Sequence, residues 1–127
     1  MEGKISLQLT KPDKIVYSGE CAAVILPAAA GNLTVVAGRA PGLVLLTDGM
    51  LQLLNEKNQV TAKYFLHGGV AENAGDVCKV AAELVVNKQS ASLEEAIAAQ
   101  ATAAESEKAF YQVIIDELTA FPTEGEK

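Results

Sequence analysis

The sequence has no tryptophan, one histidine and two cysteines among 127 residues, and aromatic residues make up only 5% of it. One histidine and two distant cysteines exclude a zinc-type centre, which needs three or four such ligands; there is also no Cys-x-x-Cys. Cys21 and Cys78 each sit in an apolar, strand-like run, as reduced core thiols do. No apolar run approaches the ~20 residues of a membrane-spanning helix. The phosphate-cradling loops Gly-x-x-x-x-Gly-Lys and Gly-x-Gly-x-x-Gly are both missing. His67-Gly68-Gly69 superficially matches an oxyanion-hole loop, but there is no Gly-x-Ser-x-Gly elbow to go with it. A glycine bulge where two strands come close is the better reading. Glu94-Glu95 and Glu105/Glu107 read as a solvated helix start and a solvated face rather than an acid–base pair. No catalytic residue, cofactor site or metal ligand is therefore expected, and no enzyme.

Positive charge is also scarce. Ten Lys and Arg stand against sixteen Asp and Glu, a net charge of −6. Residues 1–90 carry eight of each sign, whereas residues 91–127 carry eight acidic residues against Lys108 and Lys127. The whole imbalance lies in the tail. Nucleic-acid binding is disfavoured, because no basic stripe is available to neutralise phosphates.

What is present is half hydrophobic and 20% charged, ordinary for a soluble globular chain of one domain or one domain with an appendage. Met1-Glu2-Gly3-Lys4 leads straight into a strand pattern, so no targeting segment is expected and a cytoplasmic origin follows. Ile5, Leu7 and Leu9 alternate with polar residues, a half-buried strand. Lys11-Pro12-Asp13 turns the chain. Lys14–Ser18 reads as a strand ended by Gly19, and Cys21–Leu26 as another ended by Pro27. Ala28–Gly31 is a loop. Leu33–Ala37 and Leu43–Leu46 are strands around a shaped break, Gly38-Arg39-Ala40-Pro41-Gly42. Thr47-Asp48-Gly49 is a turn, and Met50–Leu54 and Val60–Leu66 form a hairpin across Asn55–Asn58. His67-Gly68-Gly69 breaks that return run, Asn73–Asp76 is a turn, and Val77–Val86 is the last strand. Turn signals at this density predict a β-sandwich or barrel.

At Ser90 the period changes. Ser92 with Glu95 is a capping box. Ala96–Ala104 favours helix, and Phe110, Val113, Ile114, Leu118 and Phe121 form an apolar helix face. A break near Glu105–Glu107 would let this stripe and the Leu93/Ile97 stripe both pack. The expected fold is mainly β plus α: a sandwich of short antiparallel strands over residues 1–88, then a short helical hairpin or single helix over residues 89–127, ended by Pro122.

Gly31-x-Leu33-x-Val35, with Gly38, Ala40 and Pro41, resembles a segment of the epsilon subunit family of the F-type ATP synthase (delta in mitochondria). Ala37 and Arg39 replace the family's Pro and His. Tyr17-Ser18-Gly19-Glu20, Val24–Pro27 and Leu66–Glu72 are similar to its other signatures in order and spacing, with His67 in place of Ser. The resemblance implies a non-catalytic central-stalk subunit that links the gamma subunit to the c-ring and couples rotation to ATP synthesis. It implies a contact surface of Ala29, Gly31, Asn32, Arg39, Ala40, Pro41 and Leu43, and contact with the alpha and beta subunits through the C-terminal helices. Membrane contact would come only through the complex, at the cytoplasmic face of a bacterial inner membrane; the isolated chain would be a monomer. On the residues alone, Arg39 is equally a solvated turn residue or an interface anchor. An unrelated β-sandwich interaction module with an acidic helical tail is the second reading.

Some members of that family bind ATP through arginines in the C-terminal helices. Here Ile97 stands where the first would be, and residues 91–127 contain no arginine. A triphosphate near this acidic tail meets net repulsion. Calorimetric titration with ATP is expected to show no micromolar binding.

Overall fold

The computed structural model describes residues 4–119 and, at residues 39–41, the backbone alone. The strands are β1 (Ile5–Lys11), β2 (Lys14–Cys21), β3 (Ala23–Ala28), β4 (Gly31–Val36), β5 (Arg39–Leu45), β6 (Gly49–Leu54), β7 (Val60–Gly75) and β8 (Val77–Asn87). They hydrogen-bond in the order β2-β1-β8-β7-β6-β3-β4, with β5 also on β7. The arrangement turns on β7. Its first half pairs with β6 up to Leu66, its second half with β5 from Val70, and β8 runs along its other edge from Tyr64 to Ala74. One continuous sheet is thereby folded into two layers.

Between them lies a single apolar core. Leu7 and Leu9 of β1, Leu26 of β3, Leu51 of β6, Leu66 of β7 and Val80 of β8 are each at most 1% exposed and belong to one cluster. Full burial of each such side chain is worth ~1.5–3 kcal/mol. The alternation read in β1 holds, with Ile5, Leu7 and Leu9 inward.

The β-sandwich followed by a helical hairpin is as expected, but several details differ. Of the pairings described, β1 with β8 is parallel; the six strands between them supply the crossover that a parallel pair needs. The strands are not all short: β7 has 16 residues and β8 has 11. Gly19 does not end β2, which runs on to Cys21 as the outer strand of the sheet. Pro27 lies inside β3. Its carbonyl accepts from the Thr47 N–H at 2.8 Å, on the side away from β4, so the N–H that proline lacks faces no ladder partner. The Ala28–Gly31 loop shrinks to two residues, since Ala28 pairs with Gly31. The break expected at Gly38–Gly42 is only the Ala37-Gly38 turn. Arg39 already pairs with Gly75, and the irregularity becomes a register shift between Arg39 and Gly42. Asn73 is in β7 rather than in a turn, and is 3% exposed.

His67-Gly68-Gly69 does not stop β7; it is where β7 changes partner. Gly68 and Gly69 have φ of +62° and +139°. A side chain on Gly69 would run into the Ala81 carbonyl oxygen and lie 2.9 Å from the Ala82 Cα. This is the close strand approach that the glycines suggested.

The chain divides into two compact units after Ser90. In the second, α1 (Leu93–Thr102) starts at the Ser92 cap, whose Oγ accepts from the Glu95 N–H at 3.3 Å. α2 (Glu105–Thr119) follows, so the helical part is a hairpin, broken at Ala103-Ala104 just before the position expected. Phe110 and Ile114 are buried, and Val113 and Leu118 are half-buried. Phe121 and Pro122 lie outside the described residues. On α1 the buried residue is Ala96, while Ile97 is 51% exposed, against the expected Leu93/Ile97 stripe. Gln100 spends both Nε2 hydrogens across the hairpin, on the Lys108 carbonyl (3.1 Å) and Gln112 Oε1 (3.0 Å).

Gly69→Ala adds a methyl group against backbone at a φ that L-residues avoid. It is expected to destabilise by more than ~2 kcal/mol and to lower Tm by more than ~5 °C in a thermal melt.

Candidate functional site

β4 and β5 are joined by the Ala37-Gly38 turn, with Gly38 at φ +84°, yet they do not pair with each other. Among the described strands, β4 pairs with β3 alone and β5 with β7 alone. The end of β5 is instead fastened to the end of β3, on the β3 edge away from β4. Ala28 bridges to Leu46, and the Ala29 N–H donates to the Leu45 carbonyl at 3.1 Å. Gly49 packs close under Pro27 at this corner, where a Cβ would come within 2.8 Å of the Pro27 Cβ. A slot of about 490 Å³ lies at this corner, lined by residues 28–33 and 43–45.

The slot gathers Ala29, Gly31, Asn32 and Leu43 of the seven residues expected at an interface. The backbone of Arg39, Ala40 and Pro41 forms the start of β5; their side chains lie outside the described part. The expected set left out Ala28, Ala30, Leu33, Val44 and Leu45 of the lining. Leu45 was within reach, because strand alternation puts it on the same side as Leu43. Leu43 and Leu45 are 73% and 72% exposed, while Val44 and Leu33 turn inward onto the core. The lining residues carry no charge. Chemically the slot can bind apolar groups and backbone; it offers neither a nucleophile nor a base.

Other candidates are structural. The side chain of His67 is mostly buried, with Nδ1 donating to Asp48 Oδ1 at 2.9 Å and Nε2 lying 3.9 Å from Glu83 Oε1. This ties the β5–β6 turn to β7 where β7 changes partner. A cleft of about 410 Å³ beside Gly69 is lined by Thr10, Lys11 and Glu83, and the Thr10 hydroxyl is committed to the Val80 carbonyl at 3.4 Å. Among the described residues, no three His, Cys, Asp or Glu are grouped to hold a metal ion. Nor is any helix there long and apolar enough to cross a membrane.

Cys21 and Cys78 are buried free thiols on opposite sides of β1, facing Ile5 and Leu7. Two strand spacings separate them by ~9–10 Å, beyond disulfide reach. Burial, and then the neighbouring Cys21, push the Cys78 thiol up to about 11. Burial likewise raises Cys21. Thiols held protonated in this way are poor nucleophiles.

The family model of the ATP synthase delta/epsilon chain beta-sandwich domain matches residues 4–88. The chain is 38% identical over 78 residues to the ATP synthase epsilon chain of Granulibacter bethesdensis, covering 61% of this chain and 57% of that one. It is 31% identical over 108 residues to the epsilon chain of Fuscovulum blasticum, covering 84% and 82%. For other relatives the span is shorter, and the chain covers 64% of the Parvibaculum lavamentivorans epsilon chain at 30% identity. The chain thus spans somewhat over half the length of several curated relatives it matches. The fold is shared with a chain of the Euglena gracilis mitochondrial ATP synthase structure (OSCP/F1/c-ring), with a TM-score of 0.65 and 22% identity over 91% of this chain and 78% of that one. A chain of the Tetrahymena thermophila central stalk/c-ring structure has a TM-score of 0.60 and 16% identity over 91% and 97%.

The raised Cys78 value sets a pH dependence. Between the ordinary thiol range near ~8.5 and about 11, the unfolded chain has released this proton and the folded chain has not. Its contribution to stability is complete below that window and is lost as pH rises through it. Tm should fall from pH 8.5 to 11, and Cys78→Ala should flatten the fall; a thiol reagent at pH 8 should label neither cysteine before unfolding.

Proposed function

The chain belongs to the ATP synthase delta/epsilon beta-sandwich family, and from that premise we propose that it is a non-catalytic central-stalk subunit of a proton-translocating F-type ATP synthase. It would bind the gamma subunit, meet the c-ring, and pass rotation between them. The observation that carries this reading is the match over residues 4–88 combined with the apolar slot on the sandwich it covers. Exposed leucines on a rigid strand suit a protein interface and have no catalytic use. Family membership sets aside the reading as an unrelated interaction module. The interface comprises the slot residues Ala29, Gly31, Asn32 and Leu43 together with Arg39, Ala40 and Pro41 at the start of β5. The protein then lies at the cytoplasmic face of a bacterial inner membrane, held there through the complex. The working division is a sandwich of residues 1–88 and a helical segment of residues 89–127.

The helical hairpin is proposed as a weak or absent inhibitor of ATP hydrolysis. In the family, inhibition is associated with an extended helix whose basic residues face an acidic loop of the beta subunit. Between residues 91 and 119 this chain has Lys108 against six carboxylates, of which Glu94, Glu95, Glu105 and Asp116 are exposed. Repulsion between like charges grows as an interface excludes water. The Gln100 bonds across the hairpin, and the buried Phe110 and Ile114, favour the folded form.

Two experiments test this. Arg39→Glu, with the fold intact by circular dichroism, is expected to weaken gamma binding by ~1–3 kcal/mol in calorimetry; unchanged affinity and coupling would make Arg39 a solvated turn residue. Residues 1–90 alone are expected to keep the sandwich spectrum. When they replace the full chain in the reconstituted complex, ATPase activity should stay nearly constant. A several-fold rise would show that the tail inhibits.

A further inference from the structure

β4 is an outer strand of the sheet, bonded on one side to β3. The Pro27 carbonyl accepts from Thr47 on the side of β3 away from β4, so Pro27–Asn32 is a non-bonded pair. The register then alternates without a break from Ala28–Gly31 to Ala23–Val36. Gly31, Leu33 and Val35 bond to β3, and the main-chain groups of Asn32, Thr34 and Val36 point away from it. These three residues are exposed, whereas Val35 is buried and Leu33 packs on the core. Among the described residues, no second strand and no further backbone hydrogen bond reaches this edge.

Natural sheets blunt such edges with charge, proline or a bulge. The outer strand β2 has Lys14 and Glu20, and its pairing with β1 shifts register at Leu9/Thr10. β5 has Pro41 and the register shift between Arg39 and Gly42. β4 has none of these devices, and it lies in the longest charge-free run of the chain, residues 21–38. The edge is also complementary to itself. A twofold axis at Thr34 sets Thr34 against Thr34 of a second copy, and Asn32 against the Val36 of that copy. Each such pair exchanges two main-chain hydrogen bonds, and Thr–Thr is a favourable cross-strand pair. We propose that the isolated chain self-associates in this way, β4 to β4 and antiparallel, into a homodimer. Residues 1–90 carry eight charges of each sign, so two sandwiches approach without net repulsion. The contact uses the same strand of both copies and therefore closes at two. One six-residue strand per copy buries less than the ~1,200 Å² of a stable interface, so the dimer is weak. The monomer that the family resemblance implies prevails in dilute solution. The inference goes beyond the central-stalk reading and does not depend on it.

Sedimentation equilibrium of the full chain tests it, at about 0.15 M salt to screen the acidic tails. The average mass should rise from 13.3 kDa toward twice that value as the concentration approaches the millimolar range. Thr34→Lys and Thr34→Glu each place like charges opposite one another at the axis, with Cα atoms ~5.5 Å apart. Each variant alone should stay at the monomer mass, and an equimolar mixture of the two should regain the rise. As a second measurement that needs no variant, amide hydrogen exchange is compared at low and high concentration of the unaltered chain. The Asn32, Thr34 and Val36 amides should gain at least about threefold protection, while those of Leu33 and Val35 are protected at both. A mass that stays at 13.3 kDa throughout overturns the proposal. So does a dimer in which these three amides exchange as in the monomer, or one that both Thr34 variants still form. A mixture of the variants that remains monomeric overturns the Thr34-centred register.

Discussion

The fold depends on β7 serving two layers. Its strand must leave β6, join β5, and stay bonded to β8 through the transition. That demands backbone angles which L-residues avoid and an approach to Ala81 and Ala82 with no room for a Cβ, so two consecutive glycines occupy the point of exchange. The surroundings reinforce it. His67, immediately before the glycines, is bonded to Asp48 in the turn between the two strands that β7 exchanges. Because β7 cannot shift register there without burying a clash, every strand paired to it inherits a fixed position.

The same exchange creates the slot. Once β5 is drawn onto the second half of β7, it can no longer pair with β4, to which it is directly connected. The Ala37-Gly38 turn joins them, and the Ala28–Leu46 bridge fastens the end of β5 to β3 rather than to β4. Leu43 and Leu45 stay exposed on the outer side of β5. An interface that follows from a constraint on the core costs the molecule little flexibility on binding, which is how a pre-ordered surface gains affinity.

The helical unit obeys different physics. Of its described residues only Ala96, Phe110 and Ile114 are buried, and polar contacts join them: the Ser92 cap and the Gln100 bonds across the hairpin. Its charge is almost entirely negative. A partner rich in carboxylates is disfavoured by that field at long range, before any contact forms.

Patterns that act locally could be read from the sequence: the period of two in β1, the turns at Pro12-Asp13 and Asn55–Asn58, the Ser92 cap, the apolar α2 face at Phe110 and Ile114. Each depends on residues a few positions apart. The family resemblance carried by the segment around Gly31–Pro41 also pointed to four of the slot residues, Ala29, Gly31, Asn32 and Leu43. What the sequence did not determine was which strands pair. Gly19, Pro27 and His67-Gly68-Gly69 all read as strand ends, since glycine and proline weaken a ladder on average. In the fold each stands where the ladder needs no side chain or no N–H, and only the neighbouring strand decides that. The parallel β1–β8 pair, the burial of Asn73 and the missing β4–β5 pairing likewise depend on contacts between residues tens of positions apart, which local periodicity does not encode.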